Sequence, residues 1–144
     1  DYPSRDEELA IVNAHGQRSG MKSTSAFGVE AIVTPEQLGD AVASIQQVRL
    51  QDDIVAYIVD IVRTTRETPA LSHGASPRAA AAIAAASRAR AALDGRDYVV
   101  PDDIKALSLP ALRHRVILSP AAEIEGRTTD DTLLEIIEQT SAPR

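Results

Sequence analysis

Apolar residues along this chain recur mostly at three- and four-residue spacing, the signature of helices that pack by one face, while strand-type alternation is brief wherever it occurs. Leu9, Ile11 and Val12 follow Ser4-Arg5-Asp6-Glu7, in which a serine N-cap and a glutamate three residues later form a capping box. A first helix is expected from there to His15-Gly16. Thr34-Pro35-Glu36-Gln37 repeats the pattern, with proline at the first helical position, and Val33 is placed to staple onto Leu38. The second helix should run to about Gln47. A third is expected from Asp52-Asp53, where Ile54, Val55, Ile58, Ile61 and Val62 leave Asp60 and Arg63 outside. Propensity alone would make so many β-branched residues a strand, but the period is helical. Thr68-Pro69 ends the element.

Gly74-Ala75-Ser76-Pro77 then opens an alanine-rich helix that runs to Leu93, with Ser76 expected to cap it through its hydroxyl and Gly95 to close it in the left-handed conformation. Tyr98-Val99-Val100 reads as a short strand that pairs with either Val48-Arg49-Leu50 or Ala31-Ile32-Val33. Pro101-Asp102-Asp103 starts a fifth helix, bent or interrupted at Pro110, whose apolar face continues through Leu112, Val116 and Ile117. A last helix is expected from Asp130-Asp131 through Leu133, Leu134, Ile136 and Ile137, with a frayed tail over residues 141–144. Residues 16–28, rich in Gly, Ser, Lys and Arg, have the composition of a mobile loop. The expected fold is an all-α helical bundle with very short strands.

At 144 residues the chain is the size of one domain, and 3% aromatic content leaves the core to Leu, Ile, Val and Ala. A net charge of -6 opposes general nucleic-acid binding, which needs concentrated positive charge. Ala79 to Ala86 is too short to span a bilayer, so no membrane span is expected. The absence of cysteine removes disulfides and thiolate zinc sites and fits a reducing compartment; with three histidines, no metal site is expected in this chain. The chain starts at Asp1 rather than Met, so it is read as a fragment of a longer protein.

Candidate chemistry is sparse. No nucleophile with its base, metal cluster or cofactor cradle can be assembled from the sequence. Gly16 to Ser23 imitates a phosphate-binding loop, but the lysine does not directly follow the second glycine and no strand precedes it. His73 reads as a solvated turn residue, His114 as a cation complementing a helix end, and Arg88, Arg90 and Arg96 as an exposed face. The Asp52-Asp53, Asp102-Asp103 and Asp130-Asp131 pairs read as helix starts. Arg78 is the exception. It falls at the second position of the alanine-rich helix, where a cation opposes the positive end of the helix dipole at a cost of roughly 0.3–1 kcal/mol. An arginine held there against its electrostatic preference is a candidate for contacting an anion, most naturally a phosphate, although a plain surface arginine whose stem covers apolar neighbours is the simpler alternative.

Gly74-Ala75-Ser76-Pro77-Arg78-Ala79, Ala89 through Val99, Pro101-Asp102-Asp103-Ile104-Lys105-Ala106-Leu107 and Arg113-His114-Arg115 together resemble, in order and spacing, the carboxyl-terminal part of MoxR-family AAA+ ATPases. Tyr2-Pro3 and the acidic residues after it look like that family's junction between ATPase core and lid, and Tyr57-Ile58-Val59 with Thr65-Arg66 look like its middle. The resemblance covers most of residues 1–118 and is weakest across 16–28 and after Arg127. Val100 departs from the Thr or Ser that would cap the helix at Pro101.

The resemblance implies an all-α lid that closes over ATP bound, with Mg2+, at a core absent from this sequence. It makes Arg78 the sensor 2 arginine, at once the catalytic and the cofactor-binding residue of this chain, acting only together with that core. The implied partners are the chain's own AAA+ core, neighbouring subunits of a hexameric ring, and an unknown client protein that is remodelled or matured in the cytoplasm. The fragment alone should bind no ATP and catalyse nothing. The lid of a magnesium-chelatase-type ATPase subunit is the nearest alternative, and a free-standing helical adaptor the alternative of another class.

Overall fold

The computed structural model describes residues 2–16 and 28–143, with the side chain of His15 excepted. Apart from Gly16 and Gly28, the expected loop of 16–28, including the phosphate-loop look-alike, lies outside the described residues. Seven helices and two short strands occur among the described residues, so the all-α expectation holds: α1 Arg5–Gly16, α2 Pro35–Gln46, α3 Asp52–Glu67, β1 Leu71–His73, α4 Pro77–Leu93, α5 Pro101–Leu112, β2 Ile117–Leu118, α6 Pro120–Ile124 and α7 Thr129–Gln139. The chain divides into two compact units, residues 1–38 and 39–144, the division falling within α2.

In residues 1–38 both helix starts form as their sequences dictate. The Ser4 N–H donates to Glu7 Oε2 at 2.7 Å while the Glu7 N–H donates to Ser4 Oγ at 3.4 Å. Likewise the Thr34 N–H donates to Gln37 Oε1 at 2.8 Å and the Gln37 N–H to Thr34 Oγ1 at 3.2 Å. Each reciprocal pair satisfies two backbone donors that a helix N-terminus otherwise leaves open. Leu9, Ile11, Val12 and Leu38 are nonetheless exposed.

Residues 39–144 contain the core. Ile54, Tyr57, Ile58, Ile61 and Val62 of α3 meet Ala79, Ile83 and Ala91 of α4, Ile104 and Leu112 of α5, and Leu133, Ile136 and Ile137 of α7. The helical period in α3 thus prevails over its β-branched content, because one face of that helix is buried. Alanines let α4 lie close to its neighbours, and α5 and α3 are the helices it packs on most. Tyr57 is only 2% exposed, its hydroxyl has no partner among the described residues, and burial, followed by the Asp102 charge, pushes its pKa up.

Several expectations need correction. The fifth helix passes through Pro110 but stops at Leu112, and Ile117–Leu118 is a strand rather than a continued helical face. That strand pairs antiparallel with β1, Leu71 opposite Leu118 and His73 opposite Ile117 across an irregularity; His73 is therefore an exposed strand residue, not a turn residue. Ser119-Pro120 starts a five-residue helix that was not expected, with Ser119 Oγ accepting from the Ala122 N–H at 3.3 Å. The last helix begins one residue before the Asp130-Asp131 pair, capped by Thr128 in a reciprocal box with Asp131. Of the two pairings open to Tyr98-Val99-Val100, the one with residues 48–50 forms as a single parallel bridge: the Arg49 N–H donates to the Asp97 carbonyl at 2.8 Å and the Val99 N–H to the Arg49 carbonyl at 3.0 Å.

The arginines after Ser87 do not form one exposed face. Arg96 and Arg90 converge on Asp103, whose side chain is 3% exposed. Two guanidinium nitrogens of Arg96 reach the two carboxylate oxygens at 2.8 Å each, Arg90 Nε lies 3.3 Å away, and the Val100 N–H donates at 3.0 Å. This last bond is the Asp103 half of a capping box at the α5 start; the other half is missing because the Val100 side chain has no acceptor, and the Asp103 N–H turns to the Val100 carbonyl at 3.0 Å instead. Arg88 is half-buried and its Nε is without a partner among the described residues.

Candidate functional site

The start of α4 is built on a turn that leaves no room for a side chain. A Cβ on Gly74 would lie 2.5 Å from the Thr65 carbonyl oxygen and 2.7 Å from Arg66 Cα, so the connection from β1 presses its backbone against the last turn of α3. That contact is possible only for glycine. Thr65, fully buried at the end of α3, fastens the next residue: its Oγ1 accepts from the Ala75 N–H at 2.9 Å and donates to the Val62 carbonyl at 2.6 Å. Ala75 and Ala79 are themselves 0% exposed, so small buried side chains anchor the chain on both sides of Ser76, Pro77 and Arg78.

Ser76 occupies the N-cap position with extended backbone angles, as expected, but its hydroxyl makes no capping bond. The Ala79 N–H turns instead to the Ser76 carbonyl at 2.9 Å, and proline at the first helical position has no N–H to satisfy. A tight first turn thereby replaces the side-chain cap.

Arg78 sits at the second helical position and is exposed. Among the described residues no hydrogen bond or ion pair engages its side chain. This contrasts with Arg49, Arg90, Arg96, Arg113 and Arg127, each paired with a carboxylate. No acidic residue stands in the first turn of α4 to compensate the cation. The structure therefore combines a fixed backbone with an uncommitted guanidinium, an arrangement able to donate two parallel N–H bonds to an oxyanion.

Beside this turn a cleft of about 390 Å³ opens between α3 and α4, walled by Val59, Val62, Pro77 and Ala80 with Arg63 and Arg66 contributing charge. Arg63 is partly neutralised by Glu67 at 3.4 Å, one helical turn away. The other histidine of interest, His114, is exposed beyond the end of α5, where its Nε2 accepts from Arg115 Nε at 3.0 Å. It joins no catalytic arrangement with Arg78. The sequence singled out Arg78 but not Thr65 or Gly74. Their signals were a hydroxyl on the apolar face of α3 and a glycine immediately before the helix start.

Comparison with known proteins fits this geometry to a family. The family described as AAA lid domain matches residues 63–136, from the last turn of α3 to α7. The chain belongs to that family. It is 37% identical over 142 residues to YeaC of Bacillus subtilis, covering 99% of this chain and 43% of that protein. It is 29% identical over 161 residues to Chaperone MoxR1 of Mycobacterium tuberculosis, covering 99% of this chain and 38% of that protein. Protein MoxR of Methylorubrum extorquens is 32% identical over 123 residues, covering 75% and 36% respectively. In three dimensions the chain matches the crystal structure of a "putative ATPase" from Cytophaga hutchinsonii with a TM-score of 0.74 and 26% identity, covering 100% of this chain and 45% of that one. The resemblance to the lid of MoxR-family AAA+ ATPases is borne out. The chain spans less than half the length of these relatives.

Proposed function

We propose that this lid serves a MoxR-type AAA+ ATPase, with Arg78 as its sensor 2 arginine facing the γ-phosphate of ATP held by a core domain outside this sequence. The observation that carries the reading is the exposed, unpaired Arg78 guanidinium on a helix start that Thr65 and Gly74 fasten to α3. The fit is chemical: a guanidinium without a carboxylate partner has its donors available to phosphate oxygens, and the amino-terminal end of α4 favours negative charge. ATP supplies the phosphoanhydride bond whose cleavage the whole protein would use. What this chain contributes is a positive charge carried on a rigid element, set to stabilise charge on the transferring phosphoryl oxygens. Magnesium would accompany the nucleotide; the described residues bring together no group of three or more His, Cys, Asp or Glu side chains able to hold a metal, so its ligands would come from the core.

Closure of the lid over nucleotide would couple hydrolysis to movement between core, lid and neighbouring ring subunits, and so to remodelling or maturation of a client protein in the cytoplasm. Residues 1–144 act in this reading as one piece of a longer ATPase, inactive alone. Nucleic acid has no part in it, and no described helix is long and apolar enough to cross a membrane.

The test is Arg78→Ala in the full-length protein. ATP turnover should fall by at least about tenfold, in line with loss of a charged transition-state contact. Unchanged turnover would remove the sensor role. Substituting Arg78 by lysine should restore little, because a point charge does not reproduce the planar fork.

A further inference from the structure

We infer that Thr65 is the positioning residue of this site: its hydroxyl, fully buried in α3, fixes the backbone from which Arg78 projects by holding the Ala75 N–H. The inference rests on the phosphate-facing reading of Arg78 and extends it to a residue that itself would touch no nucleotide.

The argument starts from what a helix start costs. The chain enters α4 from β1 through Gly74, Ala75 and Ser76, and such a connection would ordinarily fluctuate, since its backbone donors have no helical or sheet partners. Ser76 does not restrain it, because its hydroxyl makes no capping bond. Pro77 fixes one φ angle but donates nothing. Thr65 is the side chain that reaches across, over ten residues of sequence, to take the Ala75 N–H at 2.9 Å. Its own proton goes to the Val62 carbonyl at 2.6 Å, so the oxygen is oriented with a lone pair toward Ala75.

Both groups are 0% exposed. Water therefore cannot replace the bond, and losing it strands a buried donor. Gly74 brings the backbones close enough for the bond to form, as the 2.5 Å separation between a hypothetical Cβ and the Thr65 carbonyl demonstrates. Three residues after Ala75, the position of Arg78 follows from this single fastening together with the buried Ala79. A guanidinium meant to meet a developing charge must be held to within fractions of an ångström, and a misplacement of about 1 Å can cost as much as 100-fold in rate.

A double-mutant cycle in the full-length ATPase separates positioning from mere stability. Thr65→Val keeps the shape and removes the hydroxyl, and Thr65→Ser keeps the hydroxyl and removes a methyl. Expected are a fall in kcat of about fivefold or more for Thr65→Val with little change in KM for ATP, near-normal kcat for Thr65→Ser, and faster amide exchange at Ala75 in the valine variant only. In the Arg78→Ala background Thr65→Val should cause no further loss, because there is nothing left to position. Equal losses in both backgrounds overturn the inference while sparing the phosphate-facing reading of Arg78. An Arg78→Ala variant with normal turnover overturns that reading and the inference with it. Should Thr65→Val not fold, Thr65→Ala assayed at reduced temperature runs the same cycle with the same two outcomes.

Discussion

Arg96 grips Asp103 with two nitrogens, each 2.8 Å from a different carboxylate oxygen, and so ties the turn that ends α4 to the first turn of α5. One of those nitrogens also donates to the Tyr98 carbonyl at 3.0 Å and the other lies 2.9 Å from Asp94. Burial by itself would raise the pKa of Asp103; hydrogen bonds from Arg96 and the Val100 N–H, with the charges of Arg96 and Arg90, more than offset it and hold the carboxyl below its usual range. Arg96 is pushed up in turn, chiefly by its hydrogen bonds to Asp103 and Asp94.

This pairing makes part of the fold's stability dependent on pH at the acid end. An unfolded aspartate titrates near 3.9, and because the folded value lies lower, the contribution is complete above that pH and is lost as pH falls through the folded pKa. Asp103→Asn should cost about 2–4 kcal/mol at pH 7, since it leaves two arginines facing a neutral amide in a nearly closed site. Near pH 3 the gap between variant and parent should shrink. Urea melts at the two pH values read it directly, and a gap that stays constant would mean that the carboxylate is not the stabilising species.

Gly74→Ala should be among the most damaging small substitutions in the chain. The new methyl would meet the Thr65 carbonyl oxygen at 2.5 Å and Arg66 Cα at 2.7 Å, both backbone atoms that cannot swing aside. A loss of about 1–3 kcal/mol is expected, comparable with overpacking in a core, together with a lower melting temperature. A change of under 0.5 kcal/mol would mean that the connection is not pressed against α3.

Tyr57→Phe should behave in the opposite manner. The phenol oxygen is buried without a partner among the described residues, and its removal deletes a polar group that is desolvated and gains no bond. Thermal melting should show the phenylalanine variant as stable as the parent or slightly more so. A loss above about 1 kcal/mol would reveal a hydrogen bond to solvent or to a partner.

Local grammar was legible, whereas long-range pairing was legible only in part: the bridge between residues 48–50 and 98–100 was one of two options the sequence left open. The boxes at Ser4–Glu7 and Thr34–Gln37 could be read because each is contained within four residues, and the α3 period because one face must be buried. Gly95 closes α4 at φ +73° for an equally local reason. A two-residue strand such as Ile117–Leu118 has no period to read, and its identity comes from Leu71 and His73, more than forty residues earlier. Arg90 and Arg96 look like surface charge until Asp103 is brought beneath them. At the site, Arg78 was visible because it violates a helix preference; Thr65 shows only as a hydroxyl on an apolar helix face, and what that hydroxyl holds comes from Ala75, ten residues on.

The parallel bridge between Arg49 and Tyr98 also closes a long loop of chain. The backbone leaves the bundle's edge at Val48, traces α3, β1 and α4, and comes back to the same edge at Val99, where two hydrogen bonds stitch departure to return. The stitch places residues 48–50 directly beside the segment that leads into α5, although about fifty residues of chain separate them. The segment bearing Arg78 lies inside the loop that those two bonds close.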